Sequence, residues 1–143
     1  MLLDTRGIAR ATRCLWSLQE AMTEIEGLLV TQADGITITS TIRGVDSIQR
    51  LSAVTNTLFM LSEDVSEQWG RGHALEVRMK IKHPNARRPE YFVSIKPLSE
   101  SAVLTAVFVV NDNQSKVDMN VDLATDYLSA LFEGDNPTPI NWY

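Results

Sequence analysis

Cysteine is almost missing from this chain, and so are most of the devices by which small proteins staple themselves or do chemistry. Its 143 residues hold one cysteine, Cys14. An intramolecular disulfide is excluded, and no cysteine pair exists to bind zinc. A lone thiol fits a reducing compartment, so a cytoplasmic location is expected. The two histidines, His73 and His83, stand ten positions apart and match no HExxH-like spacing, which argues against a metal site. No apolar run approaches the ~20 residues that span a bilayer, so stable membrane insertion is not expected. Positive charge is in deficit. With 13 basic and 18 acidic residues the net charge is −5, which argues against a general nucleic-acid binder.

Catalytic signatures are missing too. There is no Walker motif and no GxGxxG; Gly70 and Gly72 read as a loop. The segment NDNQSKVDMNVD (111–122) has oxygen ligands at alternate places but fails as a calcium loop, because Lys116 replaces the required glycine and Asp122 the bidentate glutamate. Asn113-Gln114-Ser115 matches a glycosylation acceptor with no sign of secretion. Ser17, Ser40 and Ser62 lack a GxSxG setting. An enzyme is not expected, and neither is a cofactor.

What is present is ordinary for one globular domain: 44% apolar and 22% charged residues. A chain of this size buries ~68–70% of its unfolded surface without staples. Ile8, Ala11, Leu15, Leu18, Met22 and Ile25 recur at helical steps, which predicts a helix over about 4–24, stopped by Gly27. Arg6, Arg10 and Arg13 give its start the look of a transit peptide, but the stripe runs on unbroken, so a first helix of the domain is the simpler reading. Asp34-Gly35 between β-branched runs predicts a hairpin with a type I′ turn, in which Asp34 does no chemistry.

Asp46 or Ser47, with Gln49, predicts a capped helix running to Trp69 and ending at Gly70. Leu61, Val54, Val65, Leu58, Leu51, Trp69, Ile48 and Phe59 fall in one arc about 160° wide, against the ~100° that covering a sheet needs. Met60 sits in the opposite arc. Two readings stand: a deeply buried helix, or one that packs on its own sheet and on a partner.

Leu75, Val77, Met79 and Ile81 alternate with Glu76, Arg78, Lys80 and Lys82, which predicts a strand with one buried and one wet face. HPNARRPE (83–90) is a loop. YFVSIKP (91–97) is a strand ending at Pro97, and AVLTAVFVV (102–110) is the central strand. Ser115 with Asp118 opens a last helix, to about Phe132. Short connections predict an antiparallel sheet. The domain is expected over 1–133, followed by a tail, 134–143, whose Ile140, Trp142 and Tyr143 are able to dock. Arg78, Lys80 and Lys82, with Arg87, Arg88 and Lys96, form a basic stripe that is either a docking surface for an acidic partner or lipid or an edge strand guarded against aggregation.

IEGLLVTQADGITITS, the long helix SIQRLSAVTNTLFMLSEDVSEQWGRG, the strand–loop–strand segment 74–97 and SAVLTAVFVV together resemble the Roadblock family of dynein-light-chain-type domains, over about residues 8–132. The long loop 83–90 and the tail depart from that pattern. The resemblance implies an α+β domain of order α-β-β-α-β-β-β-α. A five-stranded antiparallel sheet would carry the long helix on one face and two helices on the other. It implies dimers through residues 47–69 and 74–82, with itself or a paralogue. It implies a non-catalytic regulator or scaffold of a Ras-like small GTPase, or a motor-complex adaptor. Helix geometry with this resemblance picks out Ser52, Asn56, Phe59, Met60 and Glu63 as the exposed side of the paired helices, with Arg78, Lys80 and Lys82 on the edge strand. A sensory or small-ligand module is the alternative from another class.

Overall fold

Asp4 starts the first helix: its carboxylate accepts the Gly7 N–H at 2.7 Å, filling a bond the first turn cannot make. In the computed structural model, which describes residues 3–32 and 34–143, helix α1 spans Thr5–Ala21. Met1, Leu2 and Ala33, the last a part of the expected turn, lie outside the described residues. Ala11, Leu15 and Leu18 are fully buried, so α1 belongs to the domain core. The helix stops three residues before the expected end. Met22 is extended, and Ile25 is buried from a strand, β1 (Ile25–Gln32). Gly27 therefore does not stop the helix. It sits in β1 beside a register irregularity, where a Cβ would lie 2.7 Å from Ile42 Cγ1.

β1 turns into β2 (Thr37–Ser40). Gly35 donates to the Gln32 carbonyl and Gln32 to that of Ile36, each at 2.9 Å. Gly35 has φ 84°, but no described non-glycine residue has positive φ, Asp34 included. A type I′ turn needs positive φ at both central positions, so the expected turn type is not the one formed. Asp34 Oδ1 instead accepts the Ile36 N–H at 3.0 Å, a local carboxylate–backbone bond that steadies the tip.

Helix α2 spans Val45–Trp69. It starts at Gly44 with no side-chain cap, so the Asp46/Ser47 capping box is not formed; it ends at Gly70 with φ 72°, as expected. β3 (Val77–Ile81), β4 (Tyr91–Ser99), β5 (Ala102–Val109) and α3 (Gln114–Phe132) complete the order α-β-β-α-β-β-β-α. β4 runs past Pro97, correcting its expected end. β3 has already ended there, since its last pair is Val77 with Ile95, so Pro97 meets only β5.

The sheet is antiparallel, in the order β2-β1-β5-β4-β3, with β5 central. Alternation splits its side chains. Leu28, Val30, Leu104, Ala106 and Phe108 meet α1 and α3 in the main core. Val93, Ile95 and Val103 meet Phe59 of α2 in a smaller one. The tail docks on the larger layer: Trp142 Nε1 donates to Ser17 Oγ at 2.8 Å, and the Tyr143 N–H to the buried Asn120 Oδ1 at 2.9 Å.

Candidate partner interface

The wide apolar arc of α2 is divided between the chain's own sheet and the outside, with Phe59 and Leu58 on the sheet side. Ser52, Thr55, Asn56 and Phe59 turn inward, while Val54, Leu61, Val65 and Trp69 stand 55–74% exposed. Small residues face the sheet, and the helix also touches the β1–β2 turn, where a Cβ on Gly35 would lie 3.5 Å from Ala53 Cα. The hydroxyls tolerate this burial by bonding locally. Thr55 Oγ1 donates to the Leu51 carbonyl at 2.8 Å, and Ser52 Oγ pairs with Thr37 Oγ1 at 2.6 Å. Phe59 is the buried large apolar group that α2 plants in this layer, with Leu58 packed half-buried beside it.

The outer ridge, at steps of seven, four and four from Val54 to Trp69, is one continuous face. Beside it, β3 keeps the expected face at Val77, which packs against the smaller core, and departs from it farther along. Met79 and Ile81, expected to be buried, are 36% and 48% exposed, and Leu75, at 79%, lies outside the strand. Met79 pairs with Val93 and so lies on the α2 side of the sheet. β3 is the last strand, with its outer backbone edge open. A ridge of aliphatic and indole side chains thus adjoins an open strand with apolar side chains on the same face. Contiguous exposed apolar surface of this kind marks interaction sites.

On the charged face of β3, Arg78 is partly covered and the charges are mostly paired. Arg78 bonds Asp118 of α3 at 2.8 Å and Glu76 at 2.9 Å, and its guanidinium lies 5.1 Å from the Phe92 ring centre. Lys96 pairs with Asp122 and Glu76, and Lys80 with Glu90 at 3.1 Å. The expected basic stripe is therefore largely neutralised, leaving Lys82, Arg87 and Arg88 exposed without an ion pair among the described residues. Burial alone would raise the Glu76 pKa; the Ser94 hydroxyl and Arg78 outweigh it and hold it below its ordinary 4.5. Arg78 is pushed the other way, since the pull of Asp118 and Glu76 exceeds the effect of burial.

Of the residues picked from the sequence, Ser52, Asn56 and Phe59 are buried against the chain's own sheet, and so are not on an exposed helix side. Met60 is 57% exposed and Glu63 half-buried. Arg78 and Lys80 are engaged within the chain, and Lys82 is exposed. The ridge residues belong to the apolar arc, on the side opposite the one expected. A readable signal for this is the stripe Ser52, Thr55, Phe59, Ser62, Ser66, which repeats small residues at helical steps around one aromatic.

The sequence matches no known family model and no curated protein. The fold does match solved structures. MglB of Myxococcus xanthus aligns over 98% of this chain and 100% of its own, with a TM-score of 0.76 and 11% identity. The gliding protein MglB of Thermus thermophilus aligns over 94% and 96%, with a TM-score of 0.76 and 14% identity. A Roadblock/LC7 domain from Streptomyces avermitilis aligns over 85% and 97%, with a TM-score of 0.72 and 10% identity. The chain has the Roadblock fold.

Proposed function

We propose that this chain is a non-catalytic, homodimeric regulator or scaffold for a Ras-like small GTPase. The observation that carries this is the uncovered apolar surface shared by α2 and β3, in a Roadblock fold. These are the two elements through which the resemblance implies dimers. Two copies joined there bury Val54, Leu61, Val65, Trp69, Met79 and Ile81, and give β3 a hydrogen-bonding partner. Each contact then occurs twice about the two-fold axis. Met60 and Glu63 lie on the flank of α2 away from the ridge, beside Phe59, and Ser52, Asn56 and Phe59 support the helix from below. Regulation follows if the dimer prefers one nucleotide state of its partner, since a binder shifts an equilibrium only through differential affinity.

Sedimentation equilibrium tests the dimer. Pull-down from host lysate with GDP and with a non-hydrolysable GTP analogue tests the partner. A Ras-like GTPase enriched in one lane supports a nucleotide-sensing regulator, and equal recovery supports a scaffold. Absence from both lanes sinks the GTPase reading and favours the adaptor.

A further inference from the structure

A cleft of about 680 Å³ opens between α2, residues 73–75 and the β4–β5 end. Its walls are mainly apolar, with Phe59, Met60, Leu75, Pro97 and Val103 among them. Its polar groups are one-signed: Glu63 and Asp64 from α2 and Glu100 from the β4–β5 turn. An adjoining cleft of about 420 Å³ adds Glu67. The only cationic candidate in either lining is His73, 3.6 Å from Glu63. Arg71, in the same linker, lines neither. The last turn of α2 carries no basic residue, and its carbonyl end adds to the negative field. Among the described residues no group of side chains is placed to hold a metal ion. The cleft fits a segment that is partly apolar and carries positive charge.

Such a segment exists on the same chain, out of reach of its own cleft. Lys82, Arg87 and Arg88 are the cations of the stripe with no ion pair among the described residues. Their loop is already shaped: Arg88 N–H donates to the Asn85 carbonyl, Arg87 N–H to Asn85 Oδ1, and Asn85 N–H to His83 Nδ1, each at 3.0 Å. A preformed loop loses little ordering entropy on docking.

Topology brings the two together between copies. The α2 ridge and the apolar side of β3 share one face of the sheet. If the two β3 edges pair, both ridges lie on the same face of the joined sheet only when the two-fold axis stands perpendicular to it, and such an axis sets the two β3 edges antiparallel. The end of β3 in one copy then lies beside the start of β3 in the other. Residues 82–90 leave that end, and residues 73–75, which wall the cleft, lead into that start. We propose that each protomer's loop 82–90 docks in the other's acidic cleft, with Arg87 and Arg88 meeting Glu63, Asp64 and Glu67. The contact is made twice and fixes the register of the strand pairing. It rests on the homodimer reading above.

The test is a charge swap read as the dimer dissociation constant by sedimentation equilibrium, with far-UV circular dichroism as the folding control. Arg87→Glu with Arg88→Glu, and separately Glu63→Lys with Asp64→Lys, should each weaken the dimer about ten-fold. All four together should return it to within about three-fold of wild type. A loop reversal that leaves the constant unchanged, while Val65→Asp still splits the dimer, overturns the loop contact and spares the dimer. Failure of the fourfold variant to recover overturns the pairing and points to a different acidic partner for the loop. A wild-type chain that stays monomeric at all concentrations overturns both readings.

Discussion

Gly27 is held by a contact rather than by its backbone angle. A methyl group there would sit 2.7 Å from Ile42 Cγ1 and 3.1 Å from its Cδ1. Gly27→Ala should cost ~1–3 kcal/mol in urea unfolding. In the background of Ile42→Ala the same change should be nearly free, and additive costs would show that the clash is not the cause. Glu76 makes a prediction about acid. Its carboxyl is harder to protonate in the folded chain than in the unfolded one, so its stabilising share is complete above about pH 4.5 and drains away as pH falls through the folded value. Glu76→Gln should flatten the acid limb of a stability–pH curve and leave stability near pH 7 lower. An unchanged limb would place the acid sensitivity elsewhere. Cys14, pushed up to about 12 by burial, should resist alkylation in the native protein. It lines a recess closed partly by Ile140 and Trp142. Removal of residues 136–143 should therefore speed its labelling while the fold persists.

At the scale of elements, α2 has two faces with opposite consequences. Phe59 is its fully inward large side chain in the smaller core, with Leu58 only half-buried beside it, so Phe59→Ala should lower stability by ~3–5 kcal/mol. Val65→Asp and Trp69→Asp lie on the exposed ridge and should barely alter the stability of a monomer, yet shift the chain from dimer to monomer in sedimentation. If Trp69→Asp dimerises like wild type, the ridge is not the interface. The order of helices and strands was readable because the strands alternate, the apolar steps of α1 and α3 are regular, and Gly70 ends α2. The direction of α2 was not. Hydrophobic periodicity finds the axis of an amphipathic helix but not which side meets its own sheet, when the side against the sheet is built from Ser52, Thr55 and Ser62. The same blindness affects the far half of β3, where Val77 keeps its expected packing but Met79 and Ile81 do not. Strict alternation located the strand, but Arg78 and Lys96 found carboxylates on α3 and an aromatic floor, leaving Met79 and Ile81 facing outward. The end of α1 was misread because Ile25 continues a helical spacing while its backbone already pairs with Phe108 of β5.

At the scale of the molecule, the two sides of the sheet carry different work. The α1/α3 side holds the large core, the ion pairs of Arg78 and Lys96, and the docked tail; it behaves as the stabilising half. The α2 side has a small core, a seam of hydroxyls in which those of Thr31 and Thr105 find no hydrogen-bond partner among the described residues, and an uncovered apolar exterior. A monomer so built is finished on one side only. Its apparent melting temperature should rise with protein concentration, as for any fold completed by association, and Val65→Asp should abolish that dependence. A melting temperature independent of concentration in the wild type would contradict the arrangement. The exposed apolar ridge was legible in the sequence only as a surplus of apolar arc, because a single chain gives no sign of which surplus residue its own fold leaves outside.

Trp69, 74% exposed at the foot of the ridge, has an optical consequence. It is one of three tryptophans; Trp142 is anchored to Ser17 in the docked tail and Trp16 is 40% exposed on α1, both on the far side of the sheet. Moving the Trp69 indole from water into an apolar contact should shift its emission to shorter wavelength, while the other two emit as before. The protein thus carries its own reporter at the place where association is expected, and dilution into the nanomolar range, followed by emission colour alone, reads assembly without a label.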